Sequence, residues 1–226
     1  MVFCALTNSV ICKIDKSLFE KIEAEITCLG QNSDKDDFET IKKNLINPPV
    51  LSDDEFAFEA TYVILAGGFS QKTAKKIFGE ICAVLQNREN VSGNELFEIF
   101  KNANKTNAIA KIWNNRKTYR DKFYALKTDD EKLAFLETLP HIGKITKNHI
   151  ARNLGISVVK YDIWIMRLAT ALAGGDCSGK LTLDENVKSA CDKMFSDLQK
   201  ETKLPVGLLD AVLWKACQIG LFTFKE

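Results

Sequence analysis

Three features of the sequence predict an all-α protein. Apolar residues recur at the helical period over most of the chain, β signals are sparse, and only four prolines interrupt it. Two of those prolines, Pro140 and Pro205, stand where a helix would begin, a place at which the missing N–H does little harm. Phe56, Tyr62, Val63 and Leu65 belong to a strongly apolar helical stretch that Gly67-Gly68 ends. From Gln71 to Leu85, the residues Ala74, Ile77, Phe78, Ile81 and Leu85 share one face. The same pattern predicts helices over 94–103, 106–125 and 130–138. The last follows Thr128-Asp129-Asp130, whose carboxylates suit a helix N-terminus. Further helices are predicted over 145–154, 162–173, 184–202 and 206–221, whereas Val158-Val159 is too short to count as a strand.

A chain of 226 residues can form one large domain or two small lobes sharing a core. Its 46% hydrophobic and 27% charged residues exclude a disordered or fibrous protein. A net charge of +1 excludes a generic polycation that coats nucleic acid, but leaves room for a local basic face. The stretch 101–127, with Lys111, Arg116, Lys117, Arg120 and Lys122, offers such a face or is a solvated helix surface. The seven cysteines (Cys4, Cys12, Cys28, Cys82, Cys177, Cys191 and Cys217) form no CxxC pair and stand near no His at ligand spacing. Zinc is therefore not expected, and reduced cysteines acting as small hydrophobes in an intracellular protein are. The start MVFCALTNSVICKID lacks the basic region of a secretory signal, and no uncharged stretch reaches the ~20 apolar residues of a membrane span. A cytoplasmic protein without a membrane role is expected, nucleoid-associated in a bacterium or virus, or nuclear in a eukaryote. Breaks are predicted at Asn47-Pro48-Pro49 and at Gly174-Gly175-Asp176-Cys177-Ser178-Gly179.

The most informative segment is the turn Leu139-Pro140-His141-Ile142-Gly143, flanked by two amphipathic helices. Leu139 and Ile142 can wedge between the helices, Pro140 stiffens the turn, and Gly143 can adopt a backbone conformation closed to other residues. The second helix then opens with unpaired N–H groups and the positive end of its dipole, an anion site ready for a DNA phosphate. Lys144, Lys147 and Arg152 add charge nearby. Contacts of this kind position a protein on the duplex backbone without reading sequence. Taken alone, the turn reads equally as a plain joint between two helices.

Downstream residues add weight to the anion-site reading. Past the turn come His149-Ile150-Ala151-Arg152-Asn153-Leu154-Gly155 and then Val158-Val159-Lys160-Tyr161-Asp162-Ile163-Trp164-Ile165-Met166-Arg167. A hairpin of type L-P-G-[IV]-G, a helix, a short loop and an aspartate opening the next helix together resemble the helix–hairpin–helix DNA glycosylase superfamily, which includes endonuclease III and 8-oxoguanine glycosylase. The close match spans 139–167, and a weaker one spans 56–74, where the turn Gly67-Gly68-Phe69-Ser70-Gln71 corresponds to a family segment that faces DNA.

The resemblance implies a two-lobed helical fold, with a central lobe of 56–174 containing the helix–hairpin–helix at 130–155, and a terminal lobe of 1–55 with 175–226. It implies double-stranded DNA carrying a lesion or mismatch as partner, contacted through Leu139, His141, Gly143, Lys144, Thr146, Lys147 and Gln71. A nucleotide would be flipped into a pocket between the lobes. Asp162 would stabilise the positive charge that builds on the sugar, or activate the attacking water. As a residue, Asp162 also reads as the N-cap of the following helix, and capping does not exclude catalysis. Around the pocket, Trp164 stacks on a base or fills the core, and Glu59 reaches solvent or lines the cavity. Asp210 and Trp214, one helical turn apart, carry the same two readings. Gln71 fills the gap left by the flipped nucleotide or is a solvated helix start.

The sequence departs from the family pattern in three places. Members that also cleave the strand form a Schiff base through a lysine two residues past the hairpin's last glycine. That position is Ile145 here, and on a helix Lys144 and Lys147 point ~100–200° away from it. Hydrolysis without lyase activity is therefore expected. His141 stands at the hairpin's first glycine, where it can touch the phosphate or crowd the turn. Only Cys191 and Cys217 lie near the C-terminus, so the four-cysteine iron–sulfur motif is absent and no cofactor is expected. The one ion the resemblance leaves room for is a monovalent cation at the hairpin. A monomer is expected. Competing readings are a non-catalytic DNA-binding protein that keeps the hairpin, a relative that modifies or transfers onto a base in the same pocket, and a helical scaffold. Oxidised purine, alkylated purine and mismatched pyrimidine all remain open as the target.

Overall fold

The computed structural model describes residues 1–29, 35–179 and 181–224, with the side chains of 35–39 and 71 outside the described residues. Two compact units make up the chain, Met1–Pro48 with Gly155–Glu226, and Pro49–Leu154. The first boundary lies within the expected Asn47-Pro48-Pro49 break, so 49–55, expected with the terminal lobe, belong to the central unit. The second lies at Leu154/Gly155 rather than at Gly174–Gly179, so 155–174, expected with the central lobe, pack with the terminal segments instead. The reason is α10 (Ile163–Leu172), whose apolar face packs on α11 (Glu185–Thr202) and α12 (Val206–Gln218). Gly155 marks the crossing. Its φ is +85°, and a Cβ there would stand 2.5 Å from the Asn44 carbonyl oxygen and 2.8 Å from Pro48 Cβ, so only glycine fits.

In the first unit, β1 (Val2–Cys4) lies between β2 (Ser9–Ile11) and β3 (Phe222–Phe224) in an antiparallel sheet that joins the two ends of the chain, Val2 facing both Ile11 and Phe224. This small sheet has no counterpart in the sequence-based expectation, because three-residue strands are too short to display a period of two. Helices α1 (Lys16–Leu29), α2 (Lys35–Ile46), α10 and α11 surround α12. Leu208, Leu209, Ala211, Val212, Leu213, Ala216 and Cys217 are buried around its circumference, as befits a helix that is apolar on most sides. Phe19, Ile22, Ile165, Leu168 and Phe195 complete this core.

The second unit holds α3 (Asp53–Ala66), α4 (Gln71–Leu85), α5 (Gly93–Ile99), α6 (Ala103–Asn114), α7 (Arg116–Ala125), α8 (Asp129–Glu137) and α9 (Thr146–Asn153). Its centre is α3, which packs against α4, α6, α7 and α9 and buries Phe56, Ala57, Ala60, Val63, Ile64 and Leu65. Capping boxes fix three helix starts, Ser52 with Glu55, Ser92 with Glu95 and Thr128 with Glu131. The ring of Phe56 packs on Phe123 at 5.6 Å, and the buried Trp113 indole N–H donates to the Arg88 carbonyl at 3.0 Å.

Two helices end differently from their predicted spans. The stretch 106–125 is two helices broken at Asn115, which leaves the helical region (φ −115°, ψ 16°) while its amide donates to the Lys111 carbonyl. The apolar period runs on through the break, which hides it from the sequence. The stretch 94–103 stops at Ile99, because Phe100 is extended and the Asn102 side chain caps α6 by accepting from the Lys105 N–H. Within the basic stretch, Arg116 pairs with Asp54, and Arg120 donates to the Leu51 carbonyl at 2.9 Å. These arginines tie α7 to the start of α3, while Lys111, Lys117 and Lys122 stay exposed.

Candidate active site

The hairpin lies in the second unit, where α8 and α9 pack together on either side of the turn. Leu139 and Ile142 are buried and hold the turn to the core, so Leu139 presents no side chain to a ligand. The special backbone conformation is at His141 (φ +63°) and not, as the sequence suggested, at Gly143, whose φ is not positive. A Cβ on Gly143 would meet only Thr146 Oγ1, at 3.9 Å. Histidine is among the side chains that enter the left-handed region more readily, which lets it replace a glycine here. His141 is exposed at the surface of the turn. Partial desolvation, followed by the charge of Lys105, holds its imidazole below the ordinary value.

Thr146 closes the first turn of α9. Its hydroxyl accepts from the Gly143 N–H at 2.7 Å and reaches the Gly143 carbonyl at 3.2 Å. No side chain caps the helix N-terminus at Ile145. Lys147 is drawn back across the hairpin to Glu137, 2.5 Å away, whereas Lys144 is exposed with no ion-pair partner among the described residues. Arg152 is fully buried, so its charge is withdrawn from the hairpin surface. Ile145 remains 37% exposed at the mouth of the turn. The hairpin surface is thus made of uncapped backbone N–H groups, Lys144 and His141.

Between α3 and α4, the turn after Gly67 carries the exposed ring of Phe69, backed edge-on by Phe100 at 5.7 Å. Lys105 lies over Phe69 at 4.9 Å and donates to the Gly67 carbonyl at 2.5 Å. Burial lowers the Lys105 pKa. The Gln71 side chain lies outside the described residues. Glu59, half-buried on α3, accepts from the Asn153 amide at 3.0 Å and so ties α3 to α9.

Asp162 lies in the first unit as the N-cap of α10, its Oδ1 accepting from the backbone N–H groups of Trp164 and Ile165 at 3.0 and 3.1 Å. The other oxygen, Oδ2, is 3.4 Å from Lys160 Nζ, and the two side chains are only 15% and 14% exposed. The Lys160 backbone N–H donates to Oδ1 of the fully buried Asp210 at 3.3 Å, and its ammonium lies 5.3 Å from the centre of the Trp214 ring. Three residues singled out from the sequence, Asp162, Asp210 and Trp214, therefore meet around one that was not, Lys160. A lysine two residues before a cap has no spacing signature. The next residue, Tyr161, has a φ of +38°, and its hydroxyl donates to Asp192 at 2.5 Å. Burial and that carboxylate push the Tyr161 phenol far above its usual range.

Trp164 packs partly buried against the core of its unit, with its carbonyl near the Cys217 thiol. Burial pushes the Cys191 thiol up to about 12 and that of Cys217 higher still, so neither is a nucleophile at neutral pH. The site can hold a carboxylate ready-oriented toward a developing cation, with an ammonium at its side.

No known protein family and no curated protein matches the chain by sequence. Among solved structures it is similar to the 8-oxoguanine DNA glycosylase of Methanocaldococcus jannaschii, with 20% identity and a TM-score of 0.66 over 90% of this chain and 94% of that one. A second structure, of the 8-oxoguanine glycosylase/lyase from the same organism in complex with 15mer DNA containing 8-oxoguanine, gives 21% identity and a TM-score of 0.67, covering 91% and 99%. The 8-oxoguanine DNA glycosylase of Thermotoga maritima gives 16% and 0.63, covering 88% and 93%. The all-α fold of this chain is the fold of these glycosylases.

Proposed function

We propose that the chain is a DNA glycosylase that hydrolyses the N-glycosidic bond of a damaged base and does not cleave the strand. The observation that carries the proposal is Asp162, held by two backbone N–H groups and an adjacent ammonium at the start of α10. Loss of a base leaves an oxocarbenium-like sugar, and a fixed carboxylate lowers the energy of that cation without having to reorganise. The hairpin supplies the anchorage. Uncapped N–H groups of α9 and the Lys144 ammonium receive a phosphate, and the target nucleotide leaves the stack to reach the carboxylate. The exposed Phe69 ring is suited to stacking against a base beside the vacated position.

The missing lyase step rests on Ile145, which stands two residues past Gly143, where strand-cleaving members of the resembled superfamily carry a lysine. A Schiff base needs an amine at the sugar, and the exposed side chain at the corresponding position is a hydrocarbon. A panel of duplexes, each with one lesion, scored for abasic sites tests the hydrolysis. Borohydride reduction on abasic DNA tests the missing lyase step. Abasic sites from one class of lesion and no covalent adduct are expected. A stable adduct would overturn the monofunctional assignment.

A further inference from the structure

Breaking an N-glycosidic bond separates charge. The sugar carbon becomes positive, and the electron pair goes to the base nitrogen. Asp162 answers the first charge. We infer that Lys160 answers the second, as the group that protonates the departing base, and that the site therefore favours electrically neutral bases over cationic, N-alkylated ones. The inference rests on the glycosylase reading and names the substrate class of the same site.

The geometry supports this role. Lys160 Nζ stands 3.4 Å from the Asp162 carboxylate oxygen, close enough for the two groups to serve one scissile bond. The backbone of Lys160 is fixed by the buried Asp210, and its ammonium lies over the Trp214 ring, which leaves that aromatic face already taken by a positive charge. A base that is itself a cation would meet like charge there.

The proton balance closes within the pair. As the C1′–N bond breaks, Lys160 gives one proton to the base nitrogen that receives the bonding electrons. Water adds its oxygen to C1′, and its proton passes to Asp162. The carboxylic acid then returns that proton to the neutral Lys160 amine, restoring both groups and leaving free base and a 1′-hydroxyl. A cationic base departs neutral and needs no such proton.

Single-turnover release measured on two duplexes, one with a neutral oxidised purine and one with N7-methylguanine, tests the inference. The wild type is expected to release the neutral base faster. Lys160→Met is expected to slow neutral-base release ~100-fold or more, the usual loss when a positioned proton donor is removed. It should slow methylguanine release less, because that base needs no proton, so the ratio of the two rates reverses or collapses. Rates are compared at equal concentrations of folded protein, set by the melting curve of each variant, so a folding defect does not enter the comparison. Lys160→Arg keeps the positive charge but cannot give up its proton, so it should lose neutral-base release as Lys160→Met does. Equal effects of Lys160→Met on both bases, or a wild type that prefers methylguanine, would overturn the role of Lys160 while leaving the glycosylase reading standing. A wild type that releases no base from any duplex overturns that reading and this one with it.

Discussion

Three residues carry most of the local chemistry, and each makes a prediction. Asp162 both caps α10 and forms the candidate catalytic carboxylate. Asparagine caps as well as aspartate does, so Asp162→Asn should keep the cap and lose only the ion pair with Lys160, while Asp162→Ala should cost about 1 kcal/mol more in denaturant unfolding. Gly155 combines a positive φ with a backbone oxygen 2.5 Å from where a Cβ would lie. Gly155→Ala should therefore destabilise the protein by about 2 kcal/mol or more, since both conformational strain and overpacking act against it. His141 has an imidazole held below its ordinary value, so the folded state binds its proton less readily than the unfolded chain. Its contribution to stability is complete above the ordinary value of 6.5 and declines as pH falls below it. His141→Asn keeps a residue that tolerates the left-handed region and removes the titration. The melting-temperature difference between the two proteins should be constant above about pH 7 and shift in favour of the variant as the medium is acidified. A difference independent of pH would count against that picture.

At the scale of elements, the proposed function has the hairpin bind through backbone and one lysine. The Lys147–Glu137 pair joins α9 to α8, so the two charges near the turn have different duties. Lys144→Ala should weaken duplex binding uniformly across sequences. It should also reduce the slope of log affinity against log salt by about 0.9, the value for one phosphate that is no longer neutralised. Lys147→Ala should leave the slope nearly unchanged and act through the hairpin's stability. Equal slope changes for both lysines would contradict this division. Most helices could be read from the sequence because their apolar faces repeat at the helical period, as α4 does from Ala74 to Leu85. The break at Asn115 could not, since the apolar pattern continues through it, and the terminal sheet could not, since it pairs residues from opposite ends of the chain. The same distinction holds within the site. Asp162 stands out as a candidate in the sequence because the hairpin and the aspartate lie in one contiguous pattern. Lys160 became visible only when Asp210 and Trp214, on a helix remote in sequence, were found against it.

For the whole molecule, the hairpin belongs to one unit and the carboxylate to the other, and the chain passes between the units at Pro48/Pro49 and Leu154/Gly155. The proposed function therefore makes DNA binding and base release separable, each with its own residues. The most direct test follows from that separation. Free base released from a lesion-containing duplex is measured by chromatography for the wild type and Asp162→Asn, alongside the affinity of each protein for the same duplex. The account predicts release by the wild type, a loss of ~100-fold or more in the variant from removing a preorganised charge at the transition state, and unchanged affinity. Equal release by the two proteins, or none by the wild type from any lesion, would contradict it.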